Sequence, residues 1–384
     1  MIISSEEYSI IDSEDEISSQ EYGEFLQTVF NDTYSKIDEF KKISVHIVFK
    51  VGTTFGDLNA RADENAEPYV EIEKDFLRAV HKFYGTMANS SNRKFYEVIF
   101  PEIFDDTLVE KYTTYMQILS IRVLLIHELG HIYNGHLLEM MGKNANLSIN
   151  ENERDYIEED DMEIIKWQAK EWDADRFCAY HIVPFQFRMD EKIFLSKFGL
   201  ESIYSKDIYM LRAIIFSVLV TLFILGAGRV DTTGKSYKEK HHLPERFRGY
   251  CYMDDIVKEY NYICGTELAL KKEEKIDIIY AFEKWIDEYM RQVCKLLNWD
   301  VENNVEIFDD EHMEYYKKVE MYKDTELKNL LLNTNRCGLA ELQERYVDCY
   351  EVMSKISDRD GGRILCLLIG VMWEAHTIFS NTPC

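Results

Sequence analysis

The stretch Ile118-Leu119-Ser120-Ile121-Arg122-Val123-Leu124-Leu125-Ile126-His127-Glu128-Leu129-Gly130-His131 decides how this chain is read. Its first nine residues are almost all apolar and read as a buried helix. The last five form an H-E-x-x-H sequence. On a helix, positions i and i+4 lie one above the other on one face. Two imidazoles placed in that way can bind one Zn2+, and a glutamate beside the first can act on a metal-bound water. Taken alone, the pentapeptide also fits a helix with two unrelated histidines.

Downstream residues narrow the choice. Glu171-Trp172-Asp173-Ala174-Asp175 places an aspartate four residues after a glutamate. A catalytic zinc takes three protein ligands and one water, and His-His-Glu is a standard set. Zinc-bound histidine commonly donates its other N–H to a carboxylate, a role that suits Asp175 on the helix face of Glu171. The metal set is therefore His127, His131 and Glu171, with Glu128 as base; a solvated helix carboxylate is the plainer reading of Glu171 in isolation. A third segment, His241-His242-Leu243-Pro244-Glu245-Arg246-Phe247-Arg248, contains His-x-Pro-x-x-x-Arg counted from His242. Amide hydrolysis builds negative charge on the carbonyl oxygen, which a positioned His or Arg stabilises. A basic surface loop is the alternative.

The ordered set H-E-L-G-H-x(4)-H, E-W-D-A-D-R-F and H-L-P-E-R-F-R resembles the gluzincin metallopeptidases. It is most similar to the CAAX-endopeptidase and heat-shock membrane protease family, whose pattern is H-E-x-G-H, E-x-x-A-D and H-P-x(4)-R. It also resembles soluble relatives, the Lit-type phage-exclusion peptidases and the regulator-cleaving peptidases of mobile elements. The resemblance covers roughly residues 118 to 250. It implies a zincin-like core with His127, His131 and Glu171 as zinc ligands, Glu128 as general base and Asp175 as the carboxylate behind a ligand. His242 and Arg248 would meet the transition state and substrate. Two departures stand out. Leu243 separates His242 from Pro244, where the family has no such residue. His136 does not fit the metzincin pattern, which wants Gly at 134 and His at 137, where this chain has Asn134 and Leu137.

Composition bounds the rest. With 384 residues, 46% hydrophobic content and five prolines, the chain is globular and longer than one small core. We expect a mainly α protein with a small β-sheet (α+β): a peptidase domain over 1–265 and a helical region over 266–384. A net charge of −26 argues against nucleic acid as main partner and disfavours an anionic membrane surface. A protein or peptide substrate, with an activator or inhibitor protein, is the expected company. Eight scattered cysteines without C-x-x-C, and no signal pattern at Met1, fit reduced thiols in the cytoplasm. Ala213 to Gly228 is apolar but short of the roughly 20 residues of a spanning helix. A membrane-associated peptidase would need a second crossing before His242, so this segment is read as a buried core helix.

Strands are expected at Val45–Val51 and Pro68–Ile72, with a loop between them. Val70 to Ile72 is a candidate edge strand for holding extended substrate. Helices are expected near 74–86, 107–140, 162–182, 207–227 and most of 267–376. The acidic run from Glu151 to Glu163 reads as a solvated face or a lid. A different class of function is a non-catalytic zinc-binding scaffold acting through protein–protein contacts.

Overall fold

The computed structural model describes residues 19–37, 44–50, 58–61, 69–88, 94–136, 149–150, 161–227, 242–243, 245–264 and 310–328. The elements are α1 (Ser19–Lys36), β1 (His46–Lys50), β2 (Leu58–Arg61), β3 (Tyr69–Glu73), α2 (Lys74–Ala88), α3 (Lys94–Ile99), α4 (Val109–Tyr133), β4 (Ile149–Asn150), α5 (Asp161–Gln186), α6 (Met189–Phe198), α7 (Asp207–Ala227), α8 (Glu245–Cys264) and α9 (Asp310–Tyr322). The chain is mainly helical with a small sheet, as its periodicity predicts.

Helix α4 is the axis of the molecule. Every residue from Tyr112 to Tyr133 is buried, so the helix has no solvent face. It is packed by α1, α2, α5 and α7. A few hydroxyls tie these apolar surfaces together: Ser120 lies 2.8 Å from the Tyr84 hydroxyl, and Thr221 donates to the Ser120 carbonyl at 3.2 Å. Helix α7 is long and apolar enough to cross a membrane, with a mean hydropathy of 2.4 over Asp207–Leu225, yet 83% of that window is buried inside the fold. It packs on α4 and α8. The core reading of this segment fits that burial.

Four helices go beyond the expected set: α1, α3, α6 and α8. Helix α1 buries Tyr22, Phe25, Leu26, Val29 and Phe30, one stripe at helical spacing. Helix α6 closes on Gly199, whose φ of 69° accepts the left-handed turn that ends it. Helix α5 runs through Pro184 to Gln186, past the expected end at 182; so near the helix end, the missing N–H removes one bond without stopping the helix.

The sheet corrects two expectations. The order is β1-β3-β2-β4, with β1 parallel to β3 and the other pairs antiparallel. The segment expected as a loop contains β2, because its backbone pairs with β3 on one side and β4 on the other. Val70 to Ile72 is not an edge. Val70 pairs with Ile47 and Ala60, and Ile72 with Phe49 and Leu58, so both sides of β3 are taken and no peptide can add there. The acidic segment 151–160 and most of the expected C-terminal helices lie outside the described residues. Within that last third, α9 packs on α5.

A buried charge cluster anchors α1 to the axis. Arg122, in the run before His127, is fully buried. Its Nη1 donates to Glu191 Oε1 at 2.6 Å and its Nη2 to Asp32 Oδ2 at 2.7 Å. Lys36 Nζ stands 2.8 Å from Asp32 Oδ1, and the guanidinium lies 4.7 Å from the Phe185 ring. Burial alone would raise the Asp32 carboxyl, but Arg122 and Lys36 outweigh it and hold it below 3.8. The stability it contributes is therefore fully present above pH 3.8 and is lost as pH falls through the depressed value.

Arg122→Met leaves two carboxylates buried without their guanidinium. The expected loss is about 3–5 kcal/mol, the cost of breaking a buried pair from one side. A urea midpoint within error of wild type at neutral pH would refute it.

Candidate metal centre

The His127–His131 turn lies deep in α4, and Glu171 faces it from α5. Among the described residues, these three bring donor atoms within 4.8 Å of one another, and all three are buried. They could hold a metal ion. The approach of α5 depends on Gly130, between the two histidines. A Cβ there would stand 3.1 Å from Phe177 Cδ1 and 3.3 Å from the Ala174 backbone. The residue before His131 is thus a point of close approach between the two helices.

The donor geometry is specific. His127 Nε2 and His131 Nε2 are 3.2 Å apart. Glu171 Oε2 is 3.4 Å from His127 Nε2, and Oε1 is 3.3 Å from His131 Nε2. Zinc takes tetrahedral ligands at about 2.0–2.1 Å, which puts neighbouring donors about 3.3–3.4 Å apart. The two imidazole nitrogens stand at about that separation, and each has one of the two Glu171 oxygens at a similar distance. Burial alone would raise the Glu171 carboxyl, but His131, His242 and His127 outweigh it and hold it well below the usual carboxylate range. A carboxylate and two imidazole nitrogens converging in a buried space suit a cation.

Behind the donors, Asp175 Oδ1 lies 2.9 Å from His127 Nδ1. Asp175 is fixed in turn by Arg248, which donates Nε to Oδ2 at 2.8 Å and Nη2 to Oδ1 at 2.7 Å. The same Nη2 is 3.6 Å from Glu171 Oε2. Arg248 is 2% exposed, so its guanidinium faces carboxylates rather than solvent. His242 reaches the cluster, with Nε2 3.6 Å from Glu171 Oε2. The extra residue Leu243 is a buried anchor, packed with Trp172, Tyr315, Tyr316 and Val319. Phe247 stacks on Tyr316 with centroids 3.9 Å apart and meets Trp172 edge-on. Helix α9 therefore braces both the Glu171 helix and the His242–Arg248 segment. His241 and Pro244 lie outside the described residues. Glu128 is fully buried beside His127.

Four residues to which sequence reasoning gave no role are here: His136, Asp173, Asn134 and Cys178. His136 Nδ1 is 2.9 Å from His131 Nδ1, and its Nε2 is 3.1 Å from Asp173 Oδ2. Asn134 Nδ2 donates to the same oxygen at 2.8 Å. The available signal was Asn-Gly after a helix, which marks a left-handed turn that sends the next side chain back. Cys178, near His127, donates its thiol to the Val123 carbonyl, and burial pushes its pKa up to about 12, so it stays protonated. Comparison of the chain with protein-family models, curated proteins and solved structures returned no match.

Gly130→Val drives a branched side chain into Phe177 and Ala174. We expect overpacking to cost about 1–3 kcal/mol and to displace Glu171 from the histidines. Far-ultraviolet circular dichroism should stay helical while bound metal per chain, by elemental analysis, falls. Full metal content in this variant would show that the helix contact does not set the site.

Proposed function

We propose that the chain is a zinc-dependent metalloendopeptidase that hydrolyses peptide bonds in a protein substrate. The observation that carries this is the convergence of His127, His131 and Glu171: the two Nε2 atoms stand 3.2 Å apart, and each lies 3.3–3.4 Å from one of the two Glu171 carboxylate oxygens, with the buried Glu128 directly after the first of them in sequence. Its motif set is the one that resembles the gluzincins.

The ligands would be His127 Nε2, His131 Nε2 and the Glu171 carboxylate. A zinc ion held there supplies Lewis acidity towards the scissile carbonyl and lowers the pKa of water. Glu128, outside the three-donor set, accepts the proton of the attacking water on its carboxylate and returns it to the leaving amine. His242, beside Glu171, donates to the carbonyl oxygen as negative charge develops. Arg248 has a positioning role: it holds Asp175, which holds the His127 ring. We assign the activity to a cytoplasmic regulatory or phage-defence protease with few substrates and with an activator or inhibitor partner. Support comes from the soluble Lit-type resemblance and from the burial of α7.

One observation favours a second reading. His127, His131, Glu171 and Glu128 are each at most 3% exposed. A closed site of this kind suits a structural zinc that clamps α4 to α5 in an interaction scaffold.

Glu128→Gln separates the two. It is expected to keep about one zinc per chain and the wild-type melting temperature. Cleavage should fall by about 10²- to 10⁴-fold, the usual worth of general base catalysis. New protein termini mapped after expression of wild type but not of the variant would support the peptidase. Zinc in both with no new termini in either would favour the scaffold.

A further inference from the structure

His136 lies outside the donor triangle, yet it is fully buried and its ring stands edge-on to that of His131, with centroids 5.0 Å apart. We propose that His136 and Asp173 are positioning residues for the ligand His131, forming a carboxylate–imidazole–imidazole chain that fixes its tautomer. This rests on the metal-centre reading above and concerns how one ligand of that centre is prepared.

The proton assignment follows from the contacts. An ionised carboxylate only accepts, so His136 Nε2–H must donate to Asp173 Oδ2, 3.1 Å away. In a neutral ring that leaves His136 Nδ1 as a lone pair. It can then only accept from His131 Nδ1–H, 2.9 Å away. His131 Nε2 is left as a lone pair, and Nε2 is the atom that faces His127 and Glu171. Protons in this order deliver an electron pair to the donor triangle. The opposite order would place an N–H there and turn a cation away.

The two ligand histidines are thus supported by the same chemistry at different reach. His127 has Asp175 directly behind it at 2.9 Å. His131 is separated from Asp173, on the same helix as Asp175, by one further imidazole. The geometry that inserts this imidazole is local. Helix α4 ends at Tyr133, Asn134 keeps helical angles, and Gly135 turns left-handed at φ 73°. The turn folds His136 back against the rear of the His131 ring. Asn134 adds a second donor to Asp173 Oδ2 at 2.8 Å, so the carboxylate that ends the chain is held in place.

The test uses the full-length chain in the Glu128→Gln background, so that no readout depends on turnover. His136→Phe keeps the ring volume but removes the acceptor. Zinc affinity, measured by competition with a chromogenic chelator, is expected to weaken 10- to 100-fold, the usual effect of losing a residue that orients a ligand. His136→Asn restores an acceptor near the Nδ1 position and should recover part of the loss. Long-range ¹H–¹⁵N spectra of the imidazoles supply the second readout: His131 should be protonated at Nδ1, and that preference should disappear in His136→Phe. Should His136→Phe not fold, Asp173→Leu and His136→Asn carry the same two measurements. Unchanged affinity together with an unchanged His131 tautomer would overturn the proposal. A parent chain that takes up no zinc would instead sink the metal reading. The Nδ1-protonated His131 of the metal-free chain would then still decide whether the histidine chain exists.

Discussion

The close contact of helices α4 and α5 at Gly130 is the constraint on which the rest of this molecule depends. Two histidines a turn apart offer two donors, and the third has to come from another element. Glu171 can supply it only if α5 lies nearly against the backbone of α4, and the missing side chain at Gly130 is what allows this. Phe177 and Ala174 fill that contact from α5, and Phe177 stacks with Tyr133. The glycine between His127 and His131 is thus a packing requirement for bringing Glu171 to the two histidines.

A helix buried on all sides cannot be placed by an apolar stripe alone, since every face is equally apolar. Charge supplies the missing specificity. Among the described residues, Arg122 and Arg248 are the two largest fully buried side chains, and each bridges a pair of carboxylates from other segments. Arg122 ties α1, through Asp32, and α6, through Glu191, to the middle of α4. Arg248 ties the start of α8 to Asp175 and Glu171 on α5. In a chain with a net charge of −26, these cations convert four buried acids from a desolvation penalty into fixed points. Mispairing α4 by one turn would bury a charge without its partner, at a cost of several kcal/mol.

What the sequence made legible follows the range of the physics. His127 and His131 share one helical repeat, and Glu171 with Asp175 another, so spacing offers these residues as candidates; Glu171 becomes a third donor only when the two motifs are read together, and the structure brings it to both histidines. The apolar runs of α4 and α7 read correctly for the same reason. Helix α1 carries a stripe at Tyr22, Phe25, Leu26, Val29 and Phe30 that is legible at helical spacing, yet the expected helices do not include it. The position of β3 was not legible, because alternation says which face is buried and nothing about how many neighbours a strand has. Strand β2 is only four residues long, too short for a legible alternation, and is defined by its pairing with β3 and β4. Leu243 seemed to break the register of the third motif, and only its burial beside Trp172 shows how His242 still reaches Glu171.

His136 marks the limit of motif reasoning. Judged by spacing it misses the metzincin third-ligand position by one residue, which leaves a contact with metal or substrate open but gives it no role. The left-handed turn at Gly135 makes the spacing irrelevant, because it reverses the chain and brings the ring to Nδ1 of His131 instead of to the Nε2 side that faces His127 and Glu171. A ligand and a residue that orients a ligand need the same side chain and differ only in which face of the neighbouring imidazole they approach. Spacing along a helix cannot tell these apart. Backbone angles after the helix end can, and here they connect His131 to Asp173 through His136.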